Sequence, residues 1–342
     1  MAVVTRDVDV LIQLFRRLPP VERNIFLRLV VAGDDPNRVS EFSQGVARCP
    51  HCCKKDYVKN GKKDGRQRFL CRICGRTFGE RAETVFYRSK KGLEVWYEYI
   101  RCMLNKLPLQ RCAEECGICL HTAFSWRHRI LGVLQAMMDK VMLNGVVQAD
   151  ETFFRLSFKG QKKLKGEFLG RVGVRQRRRG LSRDQVCVPC AVNLDGLSVG
   201  RVSNLGKPSG NDVLGVLDGR IAERSILVTD SNSVYQKVAD VMGLSHIPVP
   251  SGMRCAAPRA ERSPQAAHIF DVQTINSYHS MLKKLVNCRF HGVSTKYLNN
   301  YVIYHNFVNF AKGNFKSKCG VLFNFILEMP VRGGLRSLVR RV

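Results

Sequence analysis

Acidic residues are scarce in this chain. Across 342 residues, 28 Asp and Glu stand against 56 Lys and Arg, a formal net charge of +28. An excess of that size repels itself in a compact fold unless a polyanion shares the surface, so nucleic acid is the expected partner. An acidic membrane surface would call for a basic amphipathic anchor, and none stands out. Long apolar runs are missing as well. No uninterrupted stretch approaches membrane-spanning length. Asp7 and Asp9 break the first apolar stretch, which excludes a signal-peptide core. The expected setting is therefore cytoplasmic, around the nucleoid in a bacterial host, with no membrane partner. With no secretory signal, the 14 cysteines argue for reduced thiols and a metal site over a disulfide framework. A hydrophobic content of 45% suits a globular chain, long enough for two domains or for one large domain with small attachments.

The beginning of the chain carries little chemistry. Val8, Leu11, Ile12 and Phe15 lie at helical spacing, Pro19-Pro20 interrupt, and Val21 to Val31 resume the pattern up to Gly33. Residues 1–45 thus read as N-terminal helices capping the next module, with a dimer contact or a DNA-end contact as the alternative.

Residues 46–80 hold a sharper signal. Cys49-Pro50-His51-Cys52 is answered by Cys71-Arg72-Ile73-Cys74. Two such pairs supply four thiolates able to close a tetrahedral structural zinc site, as in a zinc ribbon. Asn60-Gly61 is the expected hairpin turn between them, and Arg68-Phe69-Leu70 the strand feeding the second pair. His51 and Cys53 are spare donors. So small a segment has little core, and the metal would supply much of its folding free energy. Lys54, Lys55, Lys59, Lys62, Lys63, Arg66 and Arg68 surround it and point to a DNA-facing role.

Residues 85–140 read as helical, with Leu93, Trp96, Ile100, Met103 and Leu104 on one face. A helix-turn-helix module is expected next: Leu109 to Cys116, a turn at Gly117, then His121 to Leu134. Ala113 and Gly117 are small where the helices approach, and Ile118, Ala123 and Trp126 would fill the space between them. His121, Thr122, Ser125, Arg127, His128 and Arg129 are expected to face outward as DNA contacts.

Residues 145–312 alternate strand and helix patterns. Strands are expected at Val146 to Asp150, Val186 to Asn193, Leu197 to Val202, Ser225 to Thr229 and His246 to Val249. Helices are expected at Asn211 to Ile221, Val234 to Met242, Phe270 to Val286 and Thr295 to Phe310. A run of three strands followed by alternating helix and strand is the order of an α/β, ribonuclease-H-like domain. The long insertion Lys159 to Arg183 is one-sidedly basic, with Lys162, Lys163, Arg177, Arg178 and Arg179 among its cations and Glu167 its lone acid before Asp184. It reads as a clamp on a phosphate backbone. Gly252 to Ser263 reads as a mobile loop, and residues 313–342 as a basic C-terminal tail.

Twice in this domain an apolar run ends on an aspartate: Val146-Val147-Gln148-Ala149-Asp150 and Ile226-Leu227-Val228-Thr229-Asp230. Phosphoryl transfer on DNA uses two hard cations about 4 Å apart, and carboxylates are the preferred ligands of magnesium or manganese. Neighbouring strands would bring Asp150 and Asp230 together. Glu151 would point to the other face of its strand, which makes it the weaker ligand. Asn276, His279 and Lys283 share one helix face. A carboxylate is expected at the helix position. Asn276 brings an amide oxygen without charge and, taken alone, reads better as a polar surface residue. Asp271 lies about 140° around the helix from it. Lys283 reads as a phosphate contact.

These residues resemble the DDE-superfamily insertion-sequence transposases of the ISXO-like type, which carry an N-terminal zinc ribbon and an Asp-Asp-Asn triad with Lys seven residues later. The matching stretches are Cys49 to Cys74, Trp126-Arg127-His128-Arg129, Ala149-Asp150-Glu151-Thr152-Phe153-Phe154, Arg179 to Val186, Thr229-Asp230-Ser231, Asn276-Ser277-Tyr278-His279-Ser280 and Arg289 to Leu298. The resemblance spans residues 46–305. It implies a transposase that binds the element's terminal inverted repeats and target DNA as a homo-oligomer and uses two Mg2+ or Mn2+ ions. Asp150, Asp230 and Asn276 would be the ligands and Lys283 the phosphate contact. The competing readings are a DNA-binding regulator derived from a transposase and a structure-selective nuclease of the same fold.

Overall fold

The computed structural model describes residues 48–82, 84–160, 184–250, 270–310 and 315–328. The expected N-terminal helices, the insertion residues Lys162, Lys163, Arg177, Arg178 and Arg179, and the loop Gly252 to Ser263 lie outside the described residues. The chain divides into two compact units, Met1–Val133 with Lys312–Arg341, and Leu134–Ala311 with Val342.

The first unit opens with a three-stranded antiparallel sheet in the order β1-β2-β3, made of β1 (Tyr57–Lys63), β2 (Arg66–Cys71) and β3 (Thr77–Gly79). The hairpin turns at Asp64-Gly65, where φ is 52° and 74°, the two left-handed residues of a tight turn. The expected turn at Asn60-Gly61 is therefore wrong: these residues lie inside β1, where the register slips between Lys59 and Lys62 and Gly61 takes φ 65°. The observed register pairs Tyr57 with Cys71. It gathers Tyr57, Phe69 and Phe78 with ring centroids 5.3–5.6 Å apart. These rings and the cysteines are nearly all the core this segment has.

Three helices follow, α1 (Leu93–Leu104), α2 (Leu109–Glu115) and α3 (Leu120–Met138). The apolar stripe of α1 buries Trp96, Ile100, Met103 and Leu104 as expected. Trp96 stacks on Trp126 of α3 at 3.7 Å between centroids, with Tyr99 edge-on to Trp126 at 5.5 Å. Gly117 turns the chain from α2 towards α3 at φ 56°.

The outward face expected on α3 is only partly there. His121 is exposed, and Thr122 and Ser125 are partly so. Arg127 is 1% exposed: Nη2 donates to the Leu107 carbonyl at 2.8 Å and sits 3.2 Å from Cys112 Sγ. It ties α3 to the start of α2 instead of facing solvent. His128, also 1% exposed, packs on Phe124. Arg129 donates to the carbonyls of Val85 and Tyr87 at 3.1 and 3.0 Å. The Trp126 stack fixes the roll of α3, and the roll turns these cations inward. Arg127→Met is therefore expected to lower stability by about 1.5–3 kcal/mol, the range for a lost hydrogen bond to a charged group. Urea unfolding read beside DNA affinity checks it; lost DNA affinity at unchanged stability would return Arg127 to the surface.

The segment taken as a basic tail begins with a helix, α8 (Phe315–Glu328). It buries Cys319, Leu322, Phe323, Ile326 and Leu327, with Phe323 edge-on to Tyr97 and Phe86. Apolar residues at helical spacing outweigh the arginines that follow them.

The second unit is built on a mixed five-stranded sheet. Its strands are β4 (Val146–Arg155), β5 (Gln185–Asn193), β6 (Ser198–Gly200), β7 (Ile226–Asp230) and β8 (Ser245–Val249), in the order β6-β5-β4-β7-β8. β4, β5 and β6 pair antiparallel; β7 and β8 add parallel. Two helices, α4 (Gly210–Leu217) and α5 (Ser233–Met242), link the strands. α6 (Gln273–Lys283) runs into a π-helical turn, Lys284–Arg289, and α7 (Thr295–Phe310) follows. This is the ribonuclease-H-like order expected. The first strand runs five residues past Asp150, while the third shrinks to Ser198–Gly200.

Strand periodicity sets what faces what. Val186, Val188, Cys190 and Val192 of β5 and Phe154 of β4 pack against Ile275, Tyr278 and Leu282 of α6 and Leu298, Tyr301 and Val302 of α7. Pro189 is tolerated in this inner strand because its polar edge faces β6. The Arg201 N–H, just past the end of β6, donates to the Pro189 carbonyl, so the ladder to β4 loses nothing. No described helix is long and apolar enough to cross a membrane.

Candidate active site and metal sites

β4 pairs with β7 in parallel up to Ala149 opposite Thr229. Asp150 and Asp230 are the next residue on each strand, so they stand side by side and point to one face, on strands about 4.8 Å apart. Asp230 starts the turn into α5: its Oδ1 accepts the Asn232 N–H at 3.1 Å, and Asn232 caps α5 through Val234 N–H. Asp150 Oδ1 accepts the Glu151 N–H at 2.8 Å. Its Oδ2 lies 3.6 Å from His279 Nδ1 on α6.

Burial sets the electrostatics. It pushes the Asp150 carboxyl up to about 6; the charge of Asp230 adds to the shift and Lys283 opposes it. It holds His279 down at about 4, with Lys283 contributing, so this imidazole is neutral at pH 7. His279 Nε2 is buried with no hydrogen-bond partner. Glu151 points to the opposite face beside Tyr235 of α5. Burial, then the charges of Asp150 and Asp230, push it up to about 7.

Both carboxyls titrate higher in the folded chain than in the unfolded one. At these two groups the folded state thus holds more protons, and their contribution to stability falls as pH rises from about 4 to about 7, while His279, held down at about 4, opposes part of that fall up to its ordinary value of 6.5. Asp150→Asn is expected to flatten that fall, and Mn2+ to raise stability at its upper end. Urea midpoints across the range check both; an unaltered slope in the variant would place Asp150 in solvent.

The structure thus brings Asp150, Asp230, His279 and Lys283 within electrostatic reach of one another. Asn276 is exposed, one turn before His279 on α6, and Lys283 is exposed one turn after it. Asp271 is 7% exposed and, against the expectation that placed it on the helix, lies before α6 begins at Gln273. The oxygen donors here suit a hard cation, and two carboxylates crowded by burial would gain from one. What sequence reasoning missed is the part played by His279 against Asp150. Its only signal was its place between Asn276 and Lys283.

The cysteines of the small sheet form a second site. Cys49, Cys52, Cys71 and Cys74 hold their sulfurs within 4.8 Å of one another, and no other described group of three or more His, Cys, Asp or Glu converges so tightly. Cys49 and Cys74 are 3.7 Å apart and Cys52 and Cys71 3.5 Å. Four thiolates about 2.3 Å from a tetrahedral zinc lie about 3.8 Å from each other, so the cluster fits that ion closely. The Cys74 N–H and its neighbours draw the Cys71 thiol down to about 7. His51 and Cys53, the spare donors, are exposed and stand outside the cluster.

Comparison with known proteins bears on the second unit. Residues 142–307 match the family described as the ISXO2-like transposase domain. This similarity to an ISXO2-like transposase domain covers just under half of the chain. The chain is also 31% identical over 119 residues to an uncharacterized protein in transposable element ISH50 of Halobacterium salinarum. That match covers 34% of this chain and 39% of the relative, so the chain spans well under half of its length. Among solved structures, a pre-cleavage Mos1 transpososome aligns over 71% of this chain and 78% of its own, at 11% identity and a TM-score of 0.27. The Mos1 mariner paired-end complex with Mn aligns over 68% and 76%, at 10% identity and a TM-score of 0.25. The matched segment contains Asp150, Asp230, Asn276, His279 and Lys283; the cysteine cluster lies before it.

Proposed function

We propose that this chain is a transposase that cleaves DNA at the ends of an insertion sequence and joins the freed ends to target DNA. The observation that carries the reading is the pair Asp150 and Asp230, in register on adjacent parallel strands and facing the helix of Asn276, His279 and Lys283. Asp150, Asp230 and the Asn276 amide oxygen would hold Mg2+ or Mn2+. Such ions activate the attacking oxygen and steady the leaving one. The chain's own contributions are positional. Neutral His279 flanks the free oxygen of Asp150, and Lys283 offers a cation for a neighbouring phosphate. In the reaction, water attacks the scissile phosphodiester and the 3′-oxygen leaves. The 3′-hydroxyl so freed then attacks a target phosphodiester, forming a new P–O bond as the target's own 3′-oxygen leaves.

DNA is grasped by three parts in this reading: a basic ribbon over residues 46–80 that the cysteine cluster holds with zinc; the polar face of α3 bearing His121, Thr122 and Ser125; and the basic insertion with Lys162, Lys163, Arg177, Arg178 and Arg179. Residues 85–140 form the helical DNA-binding module and residues 145–312 the catalytic domain. Paired ends call for a homo-oligomer in the active complex. Purified chain, a supercoiled plasmid bearing the element's ends, and Mg2+ test the proposal. Ends joined to target DNA support it. End binding without cleavage identifies a regulator, and cleavage of branched DNA without joining identifies a nuclease; either overturns it.

A further inference from the structure

Gln148 is a polar side chain where the strand pattern calls for an apolar one. It lies on β4, paired on both sides by β5 and β7, and is 0% exposed. A buried amide is costly unless its hydrogen bonds are made, and both ends of this one are used. Its Oε1 accepts the Ile275 N–H at 3.0 Å, and its Nε2 donates to Asp271 Oδ1 at 3.2 Å. The same Asp271 oxygen accepts the Gln273 N–H at 3.1 Å. The first turn of α6, whose N-cap Val272 makes no side-chain cap, is thus capped in two parts. One part comes from Asp271, just before the helix. The other comes from a strand 127 residues away in sequence.

The location gives this clamp its meaning. Gln148 and Asp150 are two apart on β4 and so share a face, and Ile275 directly precedes Asn276. The bond from Gln148 to Ile275 therefore joins the neighbours of two proposed metal ligands. Beyond the His279–Asp150 approach, the grip between α6 and the sheet is mostly apolar, through Ile275, Tyr278 and Leu282, and apolar packing is non-directional. It resists separation but fixes sliding and rolling poorly. Two directional bonds at the first turn supply what it lacks.

We propose that Gln148 and Asp271 are positioning residues that set the placement of Asn276, His279 and Lys283 relative to Asp150 and Asp230, and so the geometry of the metal site. The proposal rests on the transposase reading above. Gln148→Met keeps the volume and removes both bonds. It is expected to leave affinity for the element's ends within about twofold of the parent, weaken Mn2+ binding measured by calorimetry without DNA about tenfold, and slow cleavage about 100-fold. Q148E and D271N exchange the two partners. Each alone is expected to be impaired, and the double variant to recover most of the loss in both measurements, because carboxylate and amide again face each other.

Mn2+ affinity and cleavage within about twofold of the parent in Gln148→Met would overturn the clamp. Should that variant not fold, the exchange pair decides, and no recovery in the double variant overturns it. A parent protein that binds ends but never cleaves overturns the transposase reading instead; Mn2+ affinity across the same variants still tests the clamp.

Discussion

Asp150→Ala and Asp230→Ala are each expected to reduce cleavage and strand transfer by about 10⁴-fold or more, while binding to the element's ends stays within about twofold. Each aspartate supplies one of only two anionic donors in the site, because Asn276 brings no charge. Losing one forfeits metal binding and transition-state stabilisation together, and about 5–6 kcal/mol of barrier corresponds to four decades of rate. End binding is spared because the cations that would grasp DNA lie elsewhere, and removing a negative charge cannot weaken attraction to phosphate. Stability separates this outcome from unfolding. Burial already penalises the Asp150 carboxylate, so Asp150→Ala is expected to melt at or above the parent temperature. Strand transfer at the parent rate in Asp230→Ala would remove the catalytic pair altogether. The quantities to measure are product bands on a plasmid substrate, a binding curve on end DNA and a melting curve.

Cys71→Ser, or treatment with a strong chelator, is expected to unfold the three-stranded sheet while the five-stranded sheet keeps its structure. The small sheet rests on Phe69, Phe78 and the cysteines, with Tyr57 alongside. Apparent zinc-binding free energies of about 10–16 kcal/mol in small structural sites exceed anything such a core supplies. One zinc per chain is expected by elemental analysis, and none after chelation. Affinity for the element's ends should drop about ten- to a hundredfold, with a shallower salt dependence, as the lysines around the cluster lose their fixed placement. Unchanged affinity in the metal-free protein would leave the ribbon without a part in grasping DNA.

How much of this was legible beforehand depended on which physical signal each residue gave. Strand periodicity put Asp150 and Asp230 on neighbouring strands, as the sheet has them, but the expected strand end at Asp150 was wrong: β4 runs on to Arg155, because Thr152 and Phe154 keep packing on the sheet's buried face. The cysteine spacing defined the small sheet's centre, and the structure adds only that His51 and Cys53 are not part of it. Local turn chemistry was ambiguous where two good turn pairs lie four residues apart. Asn60-Gly61 and Asp64-Gly65 are equivalent by propensity, and the Tyr57–Phe69–Phe78 contact, a tertiary matter, chose the second. Helix roll was illegible for the same reason. Arg127 and Arg129 look like surface cations until the Trp96–Trp126 stack turns them inward. Gln148 gave no warning at all, since nothing in a five-residue run tells that its amide will meet a helix end 127 residues later.

The five-stranded sheet stops on the three residues of β6 at one margin and on β8, which contains Pro248, at the other. Short borders and a proline leave little free backbone on which a passing extended segment could grow. Copies of the chain at high local concentration are then held apart by their net charge of +28 and are poor seeds for fibrils through this sheet.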